Sequence, residues 1–238
     1  MGTPVEENRP KIVLIGASAG GIEALIALFA GLTRDFPATT AVVVHRSATR
    51  ASHLAQVLQR STGLLIVEPE GPVAIETGVV FAPRDCHLVM RDHYIEPNRG
   101  PKENFSRPAI DPLFRSAALA HGREVIGVVL SGWGSDGVSG LIDIKRSGGV
   151  SIAQSPDEAK APVMPTNAVL RDHVDWILPI AEIRELVLRL VHIPSLGREG
   201  VPCPRPRERG PKRRIREASR PPHGRAPLPR QASQPAWL

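Results

Sequence analysis

A chain of 238 residues with 42% hydrophobic content has room for one substantial domain and an appendage, and no apolar run approaches the ~18 residues that a membrane span requires. Its two cysteines, Cys86 and Cys203, are too few for a disulfide framework or a cysteine-built zinc site and suit a reducing, cytosolic setting. The net charge of +6 is misleading: 11 Lys/Arg against 3 Asp/Glu lie beyond residue 193, while the first 193 residues hold 19 against 21 and are no obvious nucleic-acid binder.

Residues 1–10 are polar and expected to be flexible, without the apolar stretch of a secretion signal. "KIVLIG", from Lys11, is apolar without alternation, as in a strand buried on both faces. The next segment repeats Ile22, Leu25, Ile26, Leu28, Phe29 and Leu32 near the helical period. "TTAVVVH" predicts a second strand, Ser52 to Arg60 a helix with Leu54, Val57 and Leu58 on one side, and "LLIVEP" a third strand. Between Val79 and Pro97, "VVFAP", "HLVM" and "YIEP" predict an antiparallel hairpin region grafted onto a parallel sheet. "DPLFRSAALAHG" predicts a helix capped by Asp111, with Pro112 at its first position and Gly122 after its end. "EVIGVVLSG" is an apolar strand entering a glycine-rich turn, and the following helix carries Leu141, Ile142 and Ile144. "GVSIAQS" and "DWILP" predict further strands. Pro179 opens a last amphipathic helix with Ile180, Ile183, Leu186, Val187 and Leu190.

Strands alternating with helices predict an α/β fold, a doubly wound, mainly parallel sheet with helices on both faces in three αβα layers. The expected boundaries are a folded domain over 11–193 and a basic, Pro/Arg-rich tail over 194–238. That tail holds ten prolines and little periodic apolar pattern, so it is expected to stay disordered. Its charge suits anionic surfaces; a solvated extension without a role is an equal reading.

The turn "GASAGG" after the first strand admits three readings. Free N–H groups at a helix start could cradle a phosphate, although Gly16, Gly20 and Gly21 match neither common nucleotide-binding spacing. Small residues could simply permit a sharp turn. Or Gly16-Ala17-Ser18-Ala19-Gly20 is a G-x-S-x-G elbow presenting Ser18 as a nucleophile. A serine hydroxyl attacks only when an imidazole takes its proton and a carboxylate orients that imidazole. Of eight histidines, only His45 ends a clear apolar strand in the parallel part of the pattern. Asp136, in "SGWGSDGVSG", also follows a strand; it could merely cap the next helix, but the surrounding glycines exceed what a cap needs. All parallel strands end on one edge, where ligands bind. Ser18, His45 and Asp136 therefore form a candidate triad, in a chain order unlike that of α/β-hydrolases. No motif for a metal or organic cofactor is present.

From about Lys11 to Val191 the chain resembles the catalytic domain of CheB-type chemotaxis protein-glutamate methylesterases. The resemblance rests on "IGASAGG", "VVVHRS", "VVFAPRDCHLVM", "RPAIDPLF", "GVVLSGWGSDGVSGL" and "IAQSPDEAKAPVMPTNAV" in family order. It implies a nucleophile at Ser18, a base at His45 and an acid at Asp136, hydrolysing glutamyl γ-methyl esters on cytoplasmic chemoreceptor helices, with glutamine deamidation as a related activity. It implies oxyanion donors at the Ala19 N–H and a peptide of the Trp133 turn. Arg107, Asp111 and Met164-Pro165 are candidates to line the substrate cleft. Methylated receptor helices are the implied partners. Ten residues ahead of the first strand leave no space for the family's phosphoacceptor receiver domain, so regulation is expected from a separate response regulator or sensor kinase, if at all. Trp133 stands where the family commonly has Met, Ala19 where many members have Thr, and "HRSATRASH" replaces a proline-containing loop. A rival reading is a catalytically inactive signalling or scaffold module that binds methylated receptor helices.

Overall fold

Strand β1 (Lys11–Ala17) has no wet face beyond its first residue. Val13, Ile15 and Ala17 enter one core, while Ile12 and Leu14 enter the other, because successive side chains of a strand point to opposite faces. In the computed structural model, which describes residues 10–49, 53–76, 78–172 and 174–193, this strand lies in the middle of a seven-stranded sheet. The elements that follow are α1 (Gly21–Phe29), β2 (Ala38–Val44), α2 (Leu54–Ser61), β3 (Ile66–Val67), β4 (Val73–Ala74), β5 (Gly78–Phe81), β6 (His87–Met90) and β7 (Tyr94–Asn98). After these come α3 (Ile110–His121), β8 (Val125–Val129), α4 (Val138–Arg146), β9 (Val150–Gln154), α5 (Val163–Asp172), β10 (Trp176–Leu178) and α6 (Ile180–Val191).

The large sheet runs β10-β9-β8-β1-β2-β5-β3, and every pairing in it is parallel. One core packs α1, α2 and α6 on it through Leu25, Phe29, Leu58, Ile183 and Val187. The other packs α3, α4 and α5 through Leu113, Phe114, Leu141, Ile144 and Met164. The expected doubly wound α/β architecture is what the chain adopts. The chain leaves β1 toward β2 and β5, then returns to the other side of β1 as β8, β9 and β10. That reversal makes the carboxyl edge of β2, β1 and β8 the place where such sheets open a crevice for ligands.

Three local expectations need correction. "VVFAP" is not part of an antiparallel region: β5 pairs parallel with β2 and β3. The antiparallel ribbon is instead a separate sheet, β4-β7-β6, whose Leu88, Met90 and Ile95 cover the α3 side. Helix α5 was not anticipated, since Pro162 and Pro165 interrupt its pattern; prolines are tolerated in a first turn, where no intrahelical donor is lost. Asp111 does not cap its own helix. The N-cap of α3 is Ala109, which makes Pro112 its third residue rather than its first, and Asp111 serves another helix, as described below. The segments expected to be flexible or disordered, 1–10 apart from Pro10 and 194–238, lie outside the described residues.

Helices α3 and α4 meet over a glycine. A Cβ on Gly140 would stand 2.3 Å from Phe114 Cβ, so the helices can approach this closely only without one. Gly140→Ala is expected to destabilise the fold by about 1–3 kcal/mol, the usual range for an overpacked core, read as a lower urea midpoint at unchanged m-value.

Candidate active site

Ser18 begins the turn from β1 into α1. Gly20, the N-cap of α1, sits at φ 73, and a Cβ there would stand 2.8 Å from Ser131 Oγ. Glycine is thus demanded twice, by backbone conformation and by space. The turn is stitched to the end of β8: Ser18 N–H donates to Ser131 O at 3.0 Å, and Ser131 Oγ donates to Ala19 O at 2.7 Å. The Cβ atom of Ser18 and the thioether of Met164 both abut Gly132, each within 2.9 Å of where a Cβ would lie. Met164 is fully buried and forms the floor beneath the turn. The Ala19 N–H has no acceptor among the described residues, whereas those of Ser18 and Gly21 are occupied by Ser131 O and Ser18 O.

His45 is set by register. Ala17 pairs with Val44 in the parallel ladder, and His45 N–H donates to Ala17 O at 3.0 Å. Ser18 and His45 therefore emerge side by side, one residue past a pair of strands roughly 4.8 Å apart. Arg46 anchors the next residue, bonding to Ala82 O, pairing with Glu68 at 2.7 Å and lying 5.2 Å from the centre of the Phe81 ring.

The imidazole meets Asp136, with Nε2 2.6 Å from Asp136 Oδ2. Because the carboxylate only accepts, this bond places the proton on Nε2 and leaves Nδ1 as the nitrogen able to take another. Nδ1 has no protein partner among the described residues. Ser18 Oγ likewise makes no hydrogen bond there, so the structure joins His45 to Asp136 and sets Ser18 beside them without a hydroxyl–imidazole bond. Catalytic contacts of this kind commonly tighten only around bound substrate.

Asp136 has a second duty that the sequence concealed. Its carboxylate, 2% exposed, accepts the Ile110 N–H at 2.7 Å and the Asp111 N–H at 3.1 Å, capping α3 from outside. It also accepts the Asn104 amide at 2.8 Å and the N–H of Gly137 at 3.0 Å. In return, Asp111 Oδ1 accepts the Gly140 N–H at 2.8 Å, capping α4. Asn104 Nδ2 reaches both acids, donating to Asp111 Oδ2 at 2.9 Å. Two helix N-termini thus exchange carboxylates, a favourable pairing for their positive ends. Asn104 was missed because "KENFS" carries no motif; only the fold brings it to Asp136.

The two acids are driven apart. Burial pushes the Asp136 carboxyl up, but its hydrogen bond from His45, the Ile110 amide, the His45 charge and the Asp111 amide together hold it below the usual carboxylate range. Burial first, and the Asp136 charge second, push Asp111 above that range, against the Gly140 and Asn104 bonds and the Arg115 charge. Asp136 therefore contributes stability that is present above its unfolded value of about 4 and is lost only as pH falls through its depressed folded value. Asp111 does the reverse: its contribution is present below about pH 4 and is lost as pH rises through its raised folded value. Urea midpoints should accordingly show the stability of the wild type relative to Asp111→Asn falling from pH 4 to pH 7; a difference that rises with pH would contradict the assignment.

The other candidates are placed as follows. The Arg107 guanidinium is committed to Asp85 at 2.9 Å and to the carbonyl of Gly100 at 2.8 Å, so it braces the loop before α3. Trp133 is 60% exposed, three residues before Asp136, and its peptide lies between Gly132, held by Ala161 and Met164, and Gly134, whose carbonyl accepts from Asn167. His87 accepts the Ala109 N–H on Nδ1 and so donates from Nε2 to Pro101 O at 2.9 Å, tying together the two ends of the segment that holds Asn104.

A family model described as CheB methylesterase matches residues 13–187, spanning all three candidate residues. The chain belongs to the CheB methylesterase family. A relative from Leptospira interrogans is 36% identical over 180 residues, covering 75% of this chain and 93% of its own. Two relatives named protein-glutamate methylesterase/protein-glutamine glutaminase, from Rhodospirillum rubrum and Anaeromyxobacter dehalogenans, are 38% and 40% identical. The alignments cover 78% and 76% of this chain but only 50% and 53% of those longer proteins. The crystal structure of the Thermotoga maritima CheB methylesterase catalytic domain superposes with a TM-score of 0.72 at 31% identity, covering 76% of this chain and 99% of that one. Within the CheB family fold, Ser18, His45 and Asp136 of this chain lie at the carboxyl edge of β1, β2 and β8.

Proposed function

We propose that this chain is a serine hydrolase that removes methyl esters from glutamate side chains of chemoreceptor-type proteins and deamidates glutamines by the same route. The observation that carries the reading is the 2.6 Å bond from His45 Nε2 to Asp136 Oδ2 at the strand edge where Ser18 emerges. A binding module would explain Asp136 as a helix cap, but it gives no reason for the imidazole, whose ring has no other protein partner among the described residues.

Ser18 Oγ attacks the ester carbonyl while its proton passes to His45 Nδ1. Asp136 fixes the ring through Nε2–H and stabilises the imidazolium without itself being protonated. The developing oxyanion takes the free N–H of Ala19, at the positive end of α1, and a peptide N–H of the Trp133 turn; such donors contribute more here than in water because they are fixed in advance. Collapse breaks the C–O bond to methoxide, which leaves as methanol with the Nδ1 proton. Water, activated by the same nitrogen, then cleaves the acyl-enzyme to free glutamate and Ser18. A glutamine substrate follows the same steps and releases ammonia.

The substrate would be the cytoplasmic helices of methylated receptors, with control by a separate response regulator or sensor kinase. Among the described residues no helix is long and apolar enough to cross a membrane, which accords with an enzyme that visits the membrane protein from the cytoplasm. Methanol release from methylated receptor cytoplasmic fragments, measured by headspace gas chromatography, tests the reading. Stoichiometric methanol per ester lost is expected; a full-length wild-type chain releasing none would overturn it.

A further inference from the structure

The segment between β7 and α3 contains an improbable residue. Glu103 and Ser106 exchange backbone hydrogen bonds, Ser106 N–H to Glu103 O at 2.8 Å and Glu103 N–H to Ser106 O at 3.2 Å. The two residues between them, Asn104 and Phe105, sit at φ 50 and φ 62. Two left-handed residues in a two-residue loop mark a type I′ turn, whose usual occupants are Asn followed by Gly. Asn104 obeys that preference. Phe105 occupies the glycine position, where its Cβ crowds the backbone and strains it.

Nothing among the described residues compensates. Phe105 is 100% exposed, whereas the other four phenylalanines, Phe29, Phe36, Phe81 and Phe114, are each 8% exposed or less. The turn is nevertheless held firmly where it is, because Asn104 hydrogen-bonds Asp136 and Asp111. A bare aromatic ring is therefore mounted one residue from the side chain that touches the candidate catalytic acid. Trp133, 60% exposed, stands three residues before the same acid. Strained, uncompensated positions of this sort gather at functional sites, and rigid aromatics are the usual anchors where one protein surface meets another.

We propose that Phe105 is a substrate-docking residue, packing against the apolar flank of the helix that carries the esterified glutamate and so selecting protein esters over small ones. The inference rests on the protein-ester reading above and deepens it. A helix lying across the strand edge would cover the ring, which provides the burial that the folded chain alone withholds. Asn104 links this contact to the relay: the turn that meets the substrate also holds Asp136 at the orientation His45 requires.

The test compares kcat/KM for a methylated receptor cytoplasmic fragment with kcat/KM for the γ-methyl ester of a blocked glutamate. Phe105→Gly and Phe105→Asn both suit φ near 60, so each should fold at least as well as the wild type, as thermal melts of the full chain will verify. Both variants should lower the ratio of protein-ester to small-ester kcat/KM about tenfold or more, mostly through KM on the fragment. Phe105→Tyr, which keeps the ring, should hold the ratio within about twofold. An unchanged ratio in the Gly and Asn variants would overturn the docking role, and so would equal losses on both substrates, which would mark the turn as acting only through Asp136. A wild type that hydrolyses the small ester but not the fragment would instead sink the protein-ester reading, and the docking role with it.

Discussion

Ser18→Ala is expected to reduce methanol release by about 10⁶-fold in kcat, the scale on which a triad collapses when its nucleophile is removed, while leaving the unfolding midpoint where it was. The separation of the two effects follows from the contacts. Ser18 is held by its backbone, through its N–H to Ser131 O, and its hydroxyl bonds to no protein group among the described residues. Taking away one oxygen that nothing else uses costs the fold nearly nothing. A rate within tenfold of wild type would remove Ser18 from the chemistry and return the turn to a purely structural role.

Asp136→Ala should behave quite differently, harming both function and fold. Loss of the carboxylate frees the His45 ring to turn and removes the partner of its imidazolium, and the expected fall in kcat is about 10⁴-fold. The same change strips the cap from α3 and leaves the buried N–H groups of Ile110, Asp111 and Gly137 without their acceptor, while the exposed Asn104 amide keeps its bond to Asp111. Each unsatisfied buried donor costs about 1–3 kcal/mol, so a total loss of about 3 kcal/mol or more is expected by urea denaturation. Asp136→Asn retains one acceptor and should recover part of the stability but little of the rate. If Asp136→Ala were as stable as the wild type, the reciprocal capping of α3 and α4 would be wrong; if it were as active, the relay would be.

The contrast between these residues bears on how much of the molecule could be read in advance. Ser18 and His45 were legible because each terminates an apolar strand, and parallel strands all end on one edge. Their adjacency, by contrast, depends on the Ala17–Val44 register, which pattern alone does not specify. Asp136 was legible as a loop acid among glycines, but its role as the cap of α3 was hidden, because the capped helix begins 26 residues earlier in the chain. The same distance misled the reading of Asp111: an acid followed by proline looks like a local N-cap, yet its carboxylate crosses to Gly140. Capping preferences record that a helix start wants an oxygen, not which segment supplies it. Strand β5 was misassigned for a related reason, since "VVFAP" is too short to declare its partner and only the ladder to β2 decides it. Asn104 and Phe105 left no trace at all, because a type I′ turn with phenylalanine in place of glycine contradicts the propensities by which turns are found.

The central claim is that Ser18 forms the acyl bond with the help of His45 and Asp136. The most direct test is to incubate the full chain with a receptor-helix peptide bearing a γ-glutamyl phosphonate ester in place of the methyl ester, digest with trypsin, and locate the adduct by mass spectrometry. The peptide spanning residues 12–34 contains Ser18 as its one serine. The account predicts a stable adduct on Ser18 of that peptide, absent from Ser18→Ala and greatly slowed in Asp136→Ala. An adduct on any other residue, or none from a preparation that releases methanol, would contradict it.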